Sequence, residues 1–266
     1  MNLNKYLGLM KVGFKVALAY RFHSVVTLIM TPISLIVYYF LWKSIFSYTG
    51  ETIIRGFTFE ALVGYYVLSM IIAFFTWSQA DKWLEHDIRH GHLIFKLLQP
   101  VAHVVHEFVI ELGMHSYTVV LELIPVFAIG YFFFYLPIAA LPNIVLFCIS
   151  LAMAAILYFQ FSYFLGLSAF WLKRIDGIRR MRSPLIAFLS GGILPLSFFP
   201  VWYTNFHHLL PFQYMRYVPI MIYLNEIPMN NMFMLMFGQF VWIILLGLLI
   251  KVIWNKGYKK FSGVGT

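Results

Sequence analysis

A chain of 266 residues that is 62% hydrophobic, 20% aromatic and only 11% charged cannot hide its apolar surface in one water-soluble core, because soluble domains carry about 25% charged residues. Its mean hydropathy of +0.82 points to an all-α integral membrane protein. The formal charge of +9 does not require nucleic acid as a partner, since excess Lys and Arg in a membrane chain collects in cytoplasmic loops.

Cys148, the one cysteine, lies inside an apolar run, which excludes a disulfide framework and a thiolate metal cluster. No linker composition, internal repeat or low-complexity tract divides the chain, so 1–266 is expected to form a single transmembrane domain. The N-terminal residues lack the compact pattern of a cleaved signal peptide. Tyr6, Met10, Phe14 and Ala17 recur at helical spacing, with Lys11 and Lys15 on another face. An amphipathic helix lying on the inner membrane surface is expected there, a frayed basic tail being the alternative.

A helix needs about 20 mainly apolar residues to cross hydrocarbon. Six stretches are expected to cross: about 24–46, 58–78, 112–136, 142–172, 184–199 and 231–254. The fourth is long enough to tilt, and the fifth is short and interrupted by Gly191, Gly192 and Pro195. With both termini cytoplasmic, the external segments keep only Lys43, Arg55 and Arg216 of the 19 basic residues. Lys82, Arg89, Lys96, Lys173, Arg174, Arg179, Arg180, Arg182 and the terminal groups then all fall inside.

Between the second and third stretches, Trp83, Leu84, Ile88, Phe95, Leu97 and Leu98 interleave with Asp81, Lys82, Glu85, Asp87, Arg89 and Lys96. A short amphipathic helix ending near Gly91 is expected, suited to docking a soluble partner or to floating on lipid. Farther on, His103, Glu107, Glu111 and His115 follow one another by four along a helix. His106-Glu107 is not followed by the second histidine of H-E-x-x-H, so no metal site is expected. Glu122 should lie about 16 Å deeper than Glu111 at 1.5 Å per residue. A carboxylate at that depth either lines a path or pairs with a neighbouring helix. Ser162 and Gly166 form a small-x-x-x-small pair that lets helices approach closely. The segment from Trp202 to Pro228, rich in aromatics and proline, looks like short external helices dipping into the outer leaflet, or an aromatic belt, with Arg216 as its one cation.

The run Asp87-Ile88-Arg89-His90-Gly91 followed by Leu97-Leu98-Gln99-Pro100-Val101 resembles the coupling loop of a branch of the type-2 ABC exporter permeases. Gly192 to Pro200, continuing to Leu210-Pro211-Phe212-Gln213-Tyr214 and Pro219, resembles that branch's fifth span and external re-entrant region, and the likeness extends over essentially the whole chain. The resemblance implies six transmembrane helices, an N-terminal interfacial helix, a cytoplasmic coupling helix between spans two and three, and external re-entrant helices between spans five and six. It also implies a permease that pairs with a second permease, identical or related, and works as an exporter in the plasma membrane of a prokaryote; a hydrophobic or amphipathic substrate is expected from the aromatic and Met-rich composition and not from the resemblance. Trp83, Leu84, Asp87, Ile88, Arg89, Gly91, Leu97 and Leu98 would couple it to soluble ATPase subunits; Glu122, from its depth, and Phe212, Tyr214 and Arg216, from their aromatic surroundings, are the residues' own candidates for a translocation path or gate, with helix pairing and an aromatic belt as the alternatives.

No G-x-x-x-x-G-K-[ST] loop is present to cradle phosphates, so ATP and magnesium would be held by the partner ATPase and not by this chain. No catalytic residues are expected, since G-x-S-x-G, H-E-x-x-H and paired aspartates are missing from the spans. The competing function is a proton-coupled secondary transporter using Glu122 and the nearby histidines, driven by a pH gradient without ATP.

Overall fold

The computed structural model describes residues 3–134, 136–172 and 174–261, so Lys173 and the two ends of the expected 1–266 domain lie outside the described residues. The described chain is 80% helix, with no strand. In order, it forms α1 (Leu3–Ala19), α2 (Arg21–Thr49), α3 (Phe59–Ala73), α4 (Ala80–Arg89), α5 (Leu93–Leu97), α6 (His103–Thr118), α7 (Ile124–Phe134), α8 (Leu141–Leu167), α9 (Asp176–Leu189), α10 (Val201–Phe206), α11 (Tyr217–Tyr223) and α12 (Met229–Tyr258).

Among the described residues, four helical stretches are long and apolar enough to cross a membrane: Ser24–Thr49, His103–Phe134, Leu141–Phe170 and Met229–Tyr258. Much of their surface is apolar and exposed, as at Ile33, Val37, Phe132, Phe133, Phe237 and Leu248. That pattern suits a solvent of lipid chains better than water. The third stretch begins at His103, earlier than the expected 112, because its polar residues find partners inside the protein. It is one long helix with a π turn at Val119–Leu123 joining α6 to α7.

The two remaining expected crossings differ from simple spans. α3 has 15 residues, about 22 Å of helix, before the chain turns at Phe74. The stretch 184–199 is not one helix: α9 ends at Leu189, Gly191 adopts the left-handed φ of 82°, and a short 3-10 turn follows at Leu196–Phe198. The carbonyls freed by this break are not left bare. Tyr65 Oη donates to Gly191 O at 2.6 Å, Tyr66 Oη to Ile193 O at 3.1 Å and Ser69 Oγ to Gly192 O at 3.3 Å, so one face of α3 satisfies the interrupted backbone.

α1 is helical, as the spacing of Tyr6, Met10 and Phe14 predicts, but it has a protein partner. A Cβ on Gly13 would collide with the carbonyl of Ile110, and one on Gly113 with that of Met10. The two glycines let α1 and α6 approach backbone to backbone, and Phe14 packs edge-on against Tyr117. The main core is formed by α3, α8, α11 and the inner faces of α2 and α12, with Tyr65, Leu62, Leu157, Val218 and Ile222 all buried.

Candidate functional site

α4 is an amphipathic ten-residue helix, and each of its acidic side chains is buried: Asp81, Glu85 and Asp87. Charges so placed must be paired and hydrogen-bonded to be tolerated. Arg182 of α9 reaches Asp81 Oδ1 at 2.9 Å, donates to Ser78 O at 2.7 Å and also bonds Ser162. Arg179, one turn earlier, donates to Glu85 Oε2 at 2.7 Å and pairs with Asp176. Burial lifts the Asp81 carboxyl above its ordinary pKa despite the Arg182 guanidinium beside it.

The ladder His103, Glu107, Glu111 and His115 on α6 holds the whole segment from the end of α3 to α5. His115 Nδ1 donates to Phe74 O at 3.1 Å, the carbonyl being able only to accept. Glu111 Oε1 accepts from Ser78 Oγ and from Gln79 N, both at 2.8 Å. Glu111 thereby satisfies the N-cap amide of α4, that of Gln79, while Ser78 Oγ accepts from Ala80 N at 3.1 Å. Glu107 Oε1 lies 2.6 Å from Lys96 Nζ, which is also 2.6 Å from Asp87 Oδ2. His103 faces Asp87 Oδ2 at 3.5 Å, contacts Tyr163 Oη at 3.0 Å and stacks on Trp254.

Burial alone would raise the Asp87 carboxyl, but hydrogen bonds from His103 and Lys96 outweigh it and the pKa falls below the ordinary value. Lys96 is likewise disfavoured by burial, yet Glu107 and Asp87 raise it above an ordinary lysine. Asp87, His103 and Glu107 are close enough to ligate a metal ion, but the Lys96 ammonium already occupies the position a cation would take.

Gly166 of α8 faces the other side of α4, where an added Cβ would lie 2.8 Å from the Asp81 Cα. Asp81 N donates to Ser162 Oγ at 3.4 Å. The small-residue pair of the sequence is therefore the seat of α4. Beyond Arg89 the chain reverses at Gly91, whose φ is 74°, and α5 follows, completing an elbow. Of the expected coupling residues, Leu84, Asp87, Ile88 and Gly91 face inward, Trp83 and Arg89 are half-buried, and Leu97 and Leu98 are exposed. Ile94 and Phe95 join Leu98 on the exposed side, with Phe95 68% and Leu98 78% exposed.

A cavity of about 680 Å³ runs beside the elbow. Its walls include Trp77, Lys82, Trp83 and Tyr117, a row of hydroxyls at Ser24, Thr27 and Thr31, and Glu122 on the π turn. Phe212, Tyr214 and Arg216 lie elsewhere. Phe212 packs against Phe161 at 5.4 Å between centroids, and Arg216 crowds Gly192, whose added Cβ would meet its Cδ at 2.8 Å. Tyr214 is held through its backbone by the fully buried Gln239, which donates to Tyr214 O at 3.0 Å and Ser150 O at 2.8 Å and accepts from Ser150 Oγ at 3.0 Å. Glu122 and the Arg216 group are thus two separate places. The roles of Glu111, Arg179 and Arg182 were not read from the sequence, because their partners come from distant elements.

The architecture is that of a multi-pass helical membrane protein with a rooted elbow between two of its helices. A family model described as ABC-2 family transporter protein matches residues 32–265, and the chain belongs to that family. No curated protein and no solved structure matches the chain. Membrane components of this family work with ATP-binding subunits and are normally non-catalytic themselves.

Proposed function

We propose that the chain is the permease subunit of an ATP-driven exporter, pairing with a second permease, and that the α4–α5 elbow is where a soluble ATPase engages it. The supporting observation is the division of the elbow into two faces. One is tied to α6, α8 and α9 by Glu107, Glu111, Gly166, Arg179 and Arg182; the other exposes Ile94, Phe95, Leu97 and Leu98. An apolar anchor on a rigid, internally paired element can transmit a push that a flexible loop would dissipate.

Lys82 and Trp83 of α4 are also walls of the cavity containing Glu122, so displacement of the elbow reshapes a space suited to an amphipathic substrate. Leu84, Asp87, Ile88, Arg89 and Gly91 transmit the motion rather than touch the ATPase. In this reading the chain crosses the plasma membrane of a prokaryote six times with both termini inside, α3 and the broken α9 segment being the short crossings. The segment Phe212 to Tyr223 re-enters from outside, with Arg216 and Tyr214 in a gate. ATP and magnesium belong to the partner.

The test is co-purification in mild detergent from the native membrane, comparing the parent with Phe95→Glu/Leu98→Glu. A soluble ATPase should accompany the parent and be lost from the variant while the thermal melt is unchanged. Retention of the ATPase by the variant, or its absence from the parent in several detergents, overturns the proposal.

A further inference from the structure

His86, His90 and His92 stand together on the exposed side of the elbow. Their ring centroids are 4.3 Å apart for His86 and His90, 5.2 Å for His86 and His92, and 5.9 Å for His90 and His92. Asp87 supplies an acid beneath them, with Oδ1 3.9 Å from His86 Nδ1. One ligand atom each from His86, His92 and Asp87 lies within 4.8 Å of the other two. We propose that this cluster is a binding site for one divalent transition-metal ion of the zinc type, with His86, His92 and Asp87 as ligands and His90 at its edge.

The donor set is chemically apt: two imidazoles and a carboxylate suit zinc, cobalt or nickel and leave a position for water. Metal–nitrogen bonds of about 2.0–2.1 Å in a tetrahedral site bring ligand atoms to roughly 3.3 Å apart. The His86 side chain, 52% exposed, has the freedom to close that gap. Asp87 is already oriented, because its other oxygen faces Lys96 Nζ at 2.6 Å, in the manner of the outer partners that position metal-binding carboxylates. The reversal at Gly91 carries His92 back beside His86. His90 Nδ1 donates to His86 O at 2.9 Å, which leaves Nε2 outside that bond.

The test uses the full chain in detergent, purified with an affinity tag free of histidine, stripped with chelator and titrated with Co²⁺ and then Zn²⁺. One equivalent of Co²⁺ should bind per chain, with visible absorption bands that Zn²⁺ abolishes. His86→Ala and His92→Ala should each weaken binding at least about tenfold, whereas His208→Ala on the distant His207–Leu209 turn should not. Both elbow imidazoles are exposed, so the variants should elute and melt as the parent does; a variant that misfolds is replaced by the milder His92→Gln. Unchanged affinity in the folded variants, or no Co²⁺ bound by the parent at millimolar concentration, overturns the proposal. The readout is metal bound by this chain, and neither ATPase engagement nor transport, so the result is independent of the exporter reading.

Discussion

Lys96→Met removes the single ammonium that joins Asp87 of α4 to Glu107 of α6, each 2.6 Å away. The two carboxylate side chains retain only 8% and 1% of their exposure, so the variant leaves them facing each other with only imidazoles beside them, His103 near both, His106 against Glu107 and His86 against Asp87. Breaking a buried pair from one side costs about 3–5 kcal/mol. The Lys96 side chain keeps 23% of its exposure, and water admitted there offsets part of the loss, which favours the lower end of that range. About 3 kcal/mol corresponds to a roughly hundredfold rise in local opening, at about 1.4 kcal/mol per factor of ten. Hydrogen–deuterium exchange of the protein in lipid nanodiscs reads this directly. Amides of 84–98 should exchange roughly a hundredfold faster, while those of α12 around Gln239 should keep their rates. Unchanged exchange in the elbow, or acceleration spread evenly over the chain, would refute the claim that Lys96 is a local latch.

The same latch predicts a pH response. The depressed Asp87 pKa contributes stability that is complete above its ordinary value of 3.8 and lost as pH falls through the lower folded value. The raised Lys96 pKa contributes stability that is complete below 10.5 and lost as pH rises through the higher folded value. Elbow exchange, corrected for intrinsic rates, should therefore show its Asp87-linked and Lys96-linked losses outside the range from about pH 4 to about pH 10; an Asp87-dependent step near neutrality would contradict the assignment. Gly166→Ala places a Cβ 2.8 Å from the Asp81 Cα and should cost about 1–3 kcal/mol, seen as a lower melting temperature with faster exchange confined to α4 and its seat. Gln239→Leu removes three hydrogen bonds among α8, α12 and the Phe212–Met215 turn and should cost about 1–2 kcal/mol; an unaltered melt would show that the network adds no stability. Glu111→Ala strips the acceptor of Ser78 and Gln79 and should fray α4 by about 1 kcal/mol, measured as faster exchange at 79–83.

Much of the architecture is written in local composition. Apolar length alone marks the helices at Ser24–Thr49, Leu141–Phe170 and Met229–Tyr258, because lipid accepts a backbone only when each helix satisfies itself. The amphipathic helix before Gly91 is equally plain, since its period is carried by adjacent residues. The function of its faces is not. Asp87 and Ile88 look like docking residues in sequence but point inward, and whether a charge can be buried depends on a partner that folding supplies from elsewhere. Lys96, Arg179 and Arg182 are such partners, 11, 94 and 104 positions from the groups they bind, Glu107, Glu85 and Ser78.

The α6 ladder shows the same division. Spacing by four identifies His103, Glu107, Glu111 and His115 as neighbours along a stripe, and only the tertiary structure assigns each of them a different part of the segment from Phe74 to Lys96. The sequence by itself determined the membrane class, the long helices and the absence of a phosphate loop, because hydropathy and motif spacing are properties of contiguous residues. Which side chains satisfy the broken stretch after α9, which face of the elbow is free and where the cavity lies were decided by packing between distant elements, because burial and charge pairing exist only after the chain has closed on itself.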